Sequence, residues 1–172
     1  MKSQANELLP DDARDFLEDY AYSWAAIGNP RVDGRVLGLL LITDQPYLSL
    51  AQIAAQLCAS TGAISTSTRR LATLGFLRPH SIPGDRNHYF RTDEDVWGSF
   101  LAGERNGFTR LAKSIDSGLD VVPEGPSRAR TRLRTARHYM DWIMSYHRKM
   151  LADWEEYRDT QLDQSNTDGP PP

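Results

Sequence analysis

Hydrophobic residues recur along this chain mainly at spacings of three and four, the mark of helices with one buried face. Ala13, Phe16, Leu17, Tyr20, Trp24 and Ile27 set out a first helix. It starts at Asp11-Asp12, where carboxylates suit the helix dipole, and stops at Gly28-Asn29-Pro30. A second helix, about 31–43, is apolar on most sides through Val36-Leu37-Gly38-Leu39-Leu40-Leu41-Ile42 and is predicted to be deeply buried.

Two short helices come next. Ser49-Leu50-Ala51-Gln52 has the form of a capping box and opens a helix over about 50–57, with Ile53, Ala54 and Leu57 on one face. After the turn Cys58-Ala59-Ser60, a helix over 61–74 turns Ile64, Thr68, Leu71 and Leu74 inward and ends at Gly75, a residue suited to a C-terminal cap. Phe76-Leu77-Arg78 and His88-Tyr89-Phe90 read as short strands around the turn Pro83-Gly84-Asp85. Two short helices, a tight turn and a hairpin make a winged helix-turn-helix.

Two helical segments follow, over about 93–117 and 128–158, separated by the Pro- and Gly-rich loop 118–127. In the last helix Leu133, Met140, His147 and Trp154 recur every seven residues, as do Ala136, Ile143, Met150 and Tyr157. That period marks a helix packed along its length against other helices. Its partner within the chain is the first helix, through Phe16, Tyr20 and Trp24, and its length implies a second subunit as well. The candidate dimer contacts are therefore Phe16, Tyr20, Trp24, Leu133, Met140, Ile143, His147, Met150 and Trp154. The expected class is mainly α with a small β-hairpin wing. Disordered tails over 1–10 and 159–172 flank a dimerisation helix (11–30), a winged unit (31–92) and C-terminal dimerisation helices (93–158).

Composition narrows this picture. Hydrophobic residues make up 40% and charged residues 25%, which excludes wholesale disorder. No run approaches the roughly 18 apolar residues of a membrane span, and the first residues lack the apolar centre of a signal peptide. A single cysteine gives no disulfide framework, so a reducing cytoplasm is the expected location. The net charge of −3 conceals an asymmetry. Residues 60–91 hold five arginines against Asp85 alone, a local +4, which leaves −7 on the rest. A basic segment on an acidic body is an electrostatic footprint for nucleic acid.

The basic segment coincides with the helix over 61–74. Opposite its apolar side lie Thr61, Gly62, Ser65, Thr66, Arg69, Arg70 and Thr73, with Ser60 at its start. Short hydroxyl side chains let a helix sit deep in the major groove, and arginine pairs with guanine or phosphate. Arg86 stands at the hairpin tip beside Gly84 and Asp85, where a guanidinium can enter a minor groove. Cys58 reads as a small buried residue rather than a redox switch, and His147 as a packed or interfacial histidine. The four histidines have no metal-ligand spacing. Without a phosphate-cradling loop or a nucleophile–base pair, neither an enzyme nor a cofactor is expected. Arg128, Arg130, Arg132, Arg134 and Arg137 crowd a helix start against the dipole, which implies an anionic partner: acidic residues such as Asp116 or Asp120, the other subunit, or phosphate, with Asp141 one turn on from Arg137.

Three segments together resemble the reading unit of MarR-type regulators: Ser49-Leu50-Ala51-Gln52-Ile53-Ala54, Ser60-Thr61-Gly62-Ala63-Ile64-Ser65, and Arg69-Arg70-Leu71-Ala72-Thr73-Leu74-Gly75-Phe76. The hairpin Pro83-Gly84-Asp85-Arg86-Asn87-His88-Tyr89-Phe90 is most similar to the GbsR-like branch, which includes a mycobacterial efflux-pump repressor. The resemblance implies a homodimer on a palindromic operator, repressing nearby efflux or stress genes and released by a small lipophilic ligand. It also implies that Asp85 orients Arg86, although Asn87 stands where many such wings have a second arginine. The ligand would meet Trp97, Phe100, Phe108 or Met140. A winged-helix protein-interaction module without specific DNA binding is the competing reading.

Overall fold

The computed structural model describes residues 9–167. Its elements run α1 (Asp11–Ala26), α2 (Arg31–Ile42), β1 (Leu48–Ser49), α3 (Leu50–Gln56), α4 (Thr61–Leu74), β2 (Arg78–His80), β3 (Tyr89–Arg91), α5 (Val96–Val121) and α6 (Arg128–Thr167). They fall into two compact units, one ending at Ser99 and the other beginning at Phe100.

In the first unit α2 is buried on most of its surface, as its sequence predicts. It approaches α1 closely because residue 34 is glycine. A Cβ there would lie 2.7 Å from the Ala21 Cα and 2.8 Å from the Trp24 Cβ. The crossing buries Leu17, Ala21 and Trp24 of α1 with Val36, Leu37, Leu39 and Leu40 of α2. Both helices of the helix-turn-helix start from a serine. Ser49 Oγ accepts the Gln52 N–H at 3.2 Å while Gln52 Oε1 accepts the Ser49 N–H at 2.8 Å, which is the capping box read from the sequence. Ser60 Oγ accepts the Ala63 N–H at 3.3 Å and opens α4. Gly75, at φ +93°, ends α4 in the left-handed conformation that glycine adopts without strain.

The wing differs from the expected hairpin. Phe76 and Leu77 are both buried, so they cannot alternate between faces as a strand would. The first arm begins at Arg78 instead. The second runs over Tyr89–Arg91, one residue later than expected, and a third strand, β1, joins them. The sheet is antiparallel in the order β1-β3-β2, with Leu48 opposite Phe90 and His80 opposite Tyr89.

In the second unit the rest of α5 and α6 form a helical hairpin with Ala112, Met140 and His147 buried. Phe108 meets the His147 ring edge-on at 5.7 Å. α5 continues through Val121, so the expected loop over 118–127 begins only at 122. Arg130 accounts for the extension: its Nη1 donates to the carbonyls of Leu119 (3.3 Å) and Val122 (2.9 Å), which the helix end leaves without partners. α6 likewise runs past Arg158, the expected end, to Thr167. Residues 159–167 contain neither glycine nor proline to stop it. The expected tails over 1–8 and 168–172 lie outside the described residues. No described helix is long and apolar enough to cross a membrane.

Candidate nucleic-acid interface

Burial along α4 separates two sides. Ile64, Ser67, Thr68 and Leu71 are buried, whereas Leu74, expected inward, is only half-buried. The opposite ridge, at i, i+4, i+7 and i+11, is Gly62, Thr66, Arg69 and Thr73, all exposed. Thr61 is also exposed, as is Ser60 before the helix, and Ser65 is half-buried on one flank. The Thr66 hydroxyl donates to the Gly62 carbonyl at 3.0 Å and that of Thr73 to the Arg69 carbonyl at 2.9 Å. Their donors are thus occupied, and each presents an oxygen lone pair and a methyl group. Those groups suit the amino hydrogens of adenine or cytosine and the thymine methyl. Arg69 Nη2 rests 3.4 Å from Ser65 Oγ, a weak contact that leaves its guanidinium available.

Arg70 is differently placed. Its Nε donates to Asp33 Oδ2 at 2.6 Å and its Nη2 to Asp33 Oδ1 at 3.1 Å, a two-bond pairing with a carboxylate of α2. The sequence groups Arg70 with Arg69 as a reader; the fold engages it with the protein's own core. Asp33 was missed. The available signal was a lone carboxylate in a helix otherwise buried on most sides.

The wing carries a second departure. Asp85 does not hold the Arg86 side chain. Its carboxylate accepts the Tyr89 hydroxyl at 2.6 Å and the Asn87 N–H at 2.8 Å. The Tyr89 hydroxyl, and after it the Asn87 N–H, hold the Asp85 carboxyl below the usual carboxylate range; the same bond pushes the Tyr89 phenol up. Tyr89 also meets Tyr47 edge-on at 5.2 Å, and Tyr47 stacks on His80 at 4.5 Å, so the wing's base is an aromatic cluster. Gly84, at φ +83°, makes the turn. Arg86 is exposed beyond it, with no ion pair among the described residues.

Residues 95–157 match the family model described as MmpR5-like MarR family transcriptional regulator. The chain is 34% identical over 140 residues to the HTH-type transcriptional regulator MmpR5 of Mycobacterium tuberculosis, covering 78% of this chain and 83% of that protein. The chain belongs to the MmpR5-like MarR family. Its fold is also similar to a crystal structure of a transcriptional regulator, at a TM-score of 0.72 and 28% identity, over 84% of this chain and 99% of the other. The family is one of DNA-binding transcriptional regulators, not enzymes.

Beyond the reading unit, the MarR-type chain distributes its other candidate residues unevenly. Trp24 is buried and Tyr20 half-buried, while Phe16 is exposed. On α6, Met140 and His147 are buried, Leu133, Ile143 and Trp154 are half-buried, and Met150 is exposed. A more exposed α6 stripe escaped the seven-residue pattern: Tyr139, Trp142 and Tyr146, each more than half exposed. Trp142 stacks on Tyr146 at 5.8 Å and Tyr139 lies 5.7 Å from Trp142. Trp97 packs edge-on against Phe76 and beside Trp24 in the first unit, whereas Phe100, Phe108 and Met140 belong to the second.

Two further expectations resolve clearly. Cys58 is exposed, not buried, and adopts φ +48° in the turn between α3 and α4. Of the arginines near the start of α6, Arg137 pairs with Asp116 at 2.7 Å and also with Asp141, while Arg130 caps α5. Arg128, Arg132 and Arg134 have no ion pair among the described residues.

Proposed function

We propose that this regulator binds double-stranded DNA as a homodimer, with α4 in the major groove and Arg86 of the wing in the minor groove. The observation that carries this reading is the ridge Gly62-Thr66-Arg69-Thr73, exposed on the side of α4 opposite its buried residues. It combines a small residue for close approach, two hydroxyl acceptors and one available guanidinium. The helix start supports it further, because the first N–H groups of α4 beyond the Ser60 cap favour phosphate.

A second subunit fits the apolar stripe on α6. Tyr139, Trp142 and Tyr146 expose three large rings in succession, the residue types enriched at the centres of protein interfaces. Two-fold pairing sets two reading helices about 34 Å apart on a palindromic operator. The regulator acts as a repressor of nearby efflux or stress genes, and a small lipophilic molecule relieves it.

A mobility shift on DNA from upstream of its own gene and the adjacent genes tests this, run with random competitor DNA over a salt series. The expected result is a salt-sensitive complex that survives competitor at two chains per site. Binding no tighter than to random DNA, on these and on genomic fragments, would contradict it and favour a protein-interaction module.

A further inference from the structure

Three consecutive residues of α2 each meet a different neighbouring helix. Asp33 takes Arg70 of α4 through two hydrogen bonds. Gly34 admits the backbone of α1, with no room for a Cβ. Arg35 reaches the other way: its Nη2 donates to the Leu57 carbonyl at the end of α3 at 3.2 Å, and its Nε lies 2.8 Å from Glu18 Oε1 of α1. One turn of α2 is therefore fixed on α1 and tied to both helices of the helix-turn-helix.

The Asp33 link is the most demanding of the three. Asp33 is 1% exposed, and a carboxylate this buried needs a charged or hydrogen-bonding partner. Arg70 satisfies both of its oxygens side-on, a geometry that constrains rotation of α4 as well as its distance from α2. Arg70 lies three residues after the buried Ser67, on the α2 side of α4, and its side chain stays 41% exposed while paired with Asp33, whereas Arg69 is on the opposite ridge.

We propose that Asp33 and Arg70 form a positioning pair that sets the angle at which α4 meets DNA, and that this withholds Arg70 from reading, which falls to Arg69. The inference rests on the DNA-binding reading above. It assigns a role in operator recognition to a buried carboxylate that cannot itself touch DNA. It also reverses the Coulombic expectation: removing a negative charge near DNA ordinarily strengthens binding, yet neutralising Asp33 weakens the specific complex.

The test compares wild type, Asp33→Asn, Arg70→Lys and the double variant on the operator and on random DNA across a salt series, at a temperature where circular dichroism shows each folded. Arg70→Lys keeps the charge and exchanges only the two-bond fork, so it serves if Asp33→Asn does not fold. The expected result is about a tenfold loss of operator affinity in each single variant, with a double variant no worse than either, as for residues acting as one unit. Affinity for random DNA and the salt slope stay at the wild-type value in Arg70→Lys, whose charge is unchanged. Wild-type operator affinity in Arg70→Lys, or losses that add in the double variant, overturns the positioning pair while leaving DNA binding intact. A wild type that binds no DNA selectively overturns the functional reading and this inference together.

Discussion

The Asp85 carboxylate accepts the Tyr89 hydroxyl at 2.6 Å, so the acid at the wing's turn is tied to the returning strand and not to the side chain of the neighbouring Arg86. The bond makes the hairpin its own brace, and Arg86 extends from a turn already fixed by side chains behind it.

That brace has a defined pH window. Asp85 is held below its ordinary range, so its contribution is complete above the unfolded carboxylate value and is lost as pH falls through the folded one. Tyr89 is pushed up, so its contribution is complete below the ordinary phenol value and is lost as pH rises through the folded one. Neutral pH lies inside both limits. Tyr89→Phe removes the hydroxyl that donates to the carboxylate, and carbon-detected NMR titration of Asp85 is expected to show its midpoint rising toward the ordinary carboxylate value. A midpoint unchanged from wild type would show that the bond does not form in solution.

Gly34→Ala places a methyl group against the α1 backbone, which cannot rotate away. Overpacking of this kind costs about 1–3 kcal/mol, read as a lower urea midpoint with an unchanged slope. Gly38→Ala meets mainly the end of the Leu17 side chain, at 2.9 Å, so its expected cost is smaller. Equal midpoints for the two variants would contradict the close crossing.

Local chemistry was the most legible part of the sequence. The capping box at Ser49 and the bounds of α4 follow from residues within a few positions of one another, and the structure reproduces both. The exposed ridge of α4 was legible for the same reason, since helical periodicity sorts Thr66 and Arg69 from Ile64 and Leu71. Arg70 was not: its partner Asp33 lies 37 residues away, and only packing of α2 on α4 brings them together. β1 is two residues long, too short to show a period, and it shifts the reading of the wing with it. Tyr139, Trp142 and Tyr146 were passed over because the seven-residue repeat picked out the adjacent, more buried positions of α6.

Cys58 occupies the left-handed region at φ +48°, where a side chain costs about 1–2 kcal/mol and glycine does not. Cys58→Gly is expected to raise the denaturation midpoint relative to Cys58→Ala, which keeps the Cβ. If the alanine variant is as stable as the glycine variant, that strain is absent.

The proposed self-association through α6 makes Trp142→Glu a disruptive change, since it sets a charge within a stripe of rings. Loss of an interface anchor costs about 2 kcal/mol or more, or at least about thirtyfold in the dimer dissociation constant. Sedimentation velocity over a dilution series reads this directly, and a wild-type constant in the variant would move the interface elsewhere.

The central claim, that α4 and the wing hold duplex DNA through Arg69 and Arg86, is tested most directly by salt dependence. Operator affinity is measured from low to physiological salt for wild type, Arg69→Ala and Arg86→Ala. Removing a phosphate-neutralising arginine lowers the slope of log affinity against log salt by about one per contact. Weaker binding and a shallower slope are expected in both variants, with the Arg86→Ala loss uniform across DNA sequences. Wild-type affinity and slope in both would contradict it.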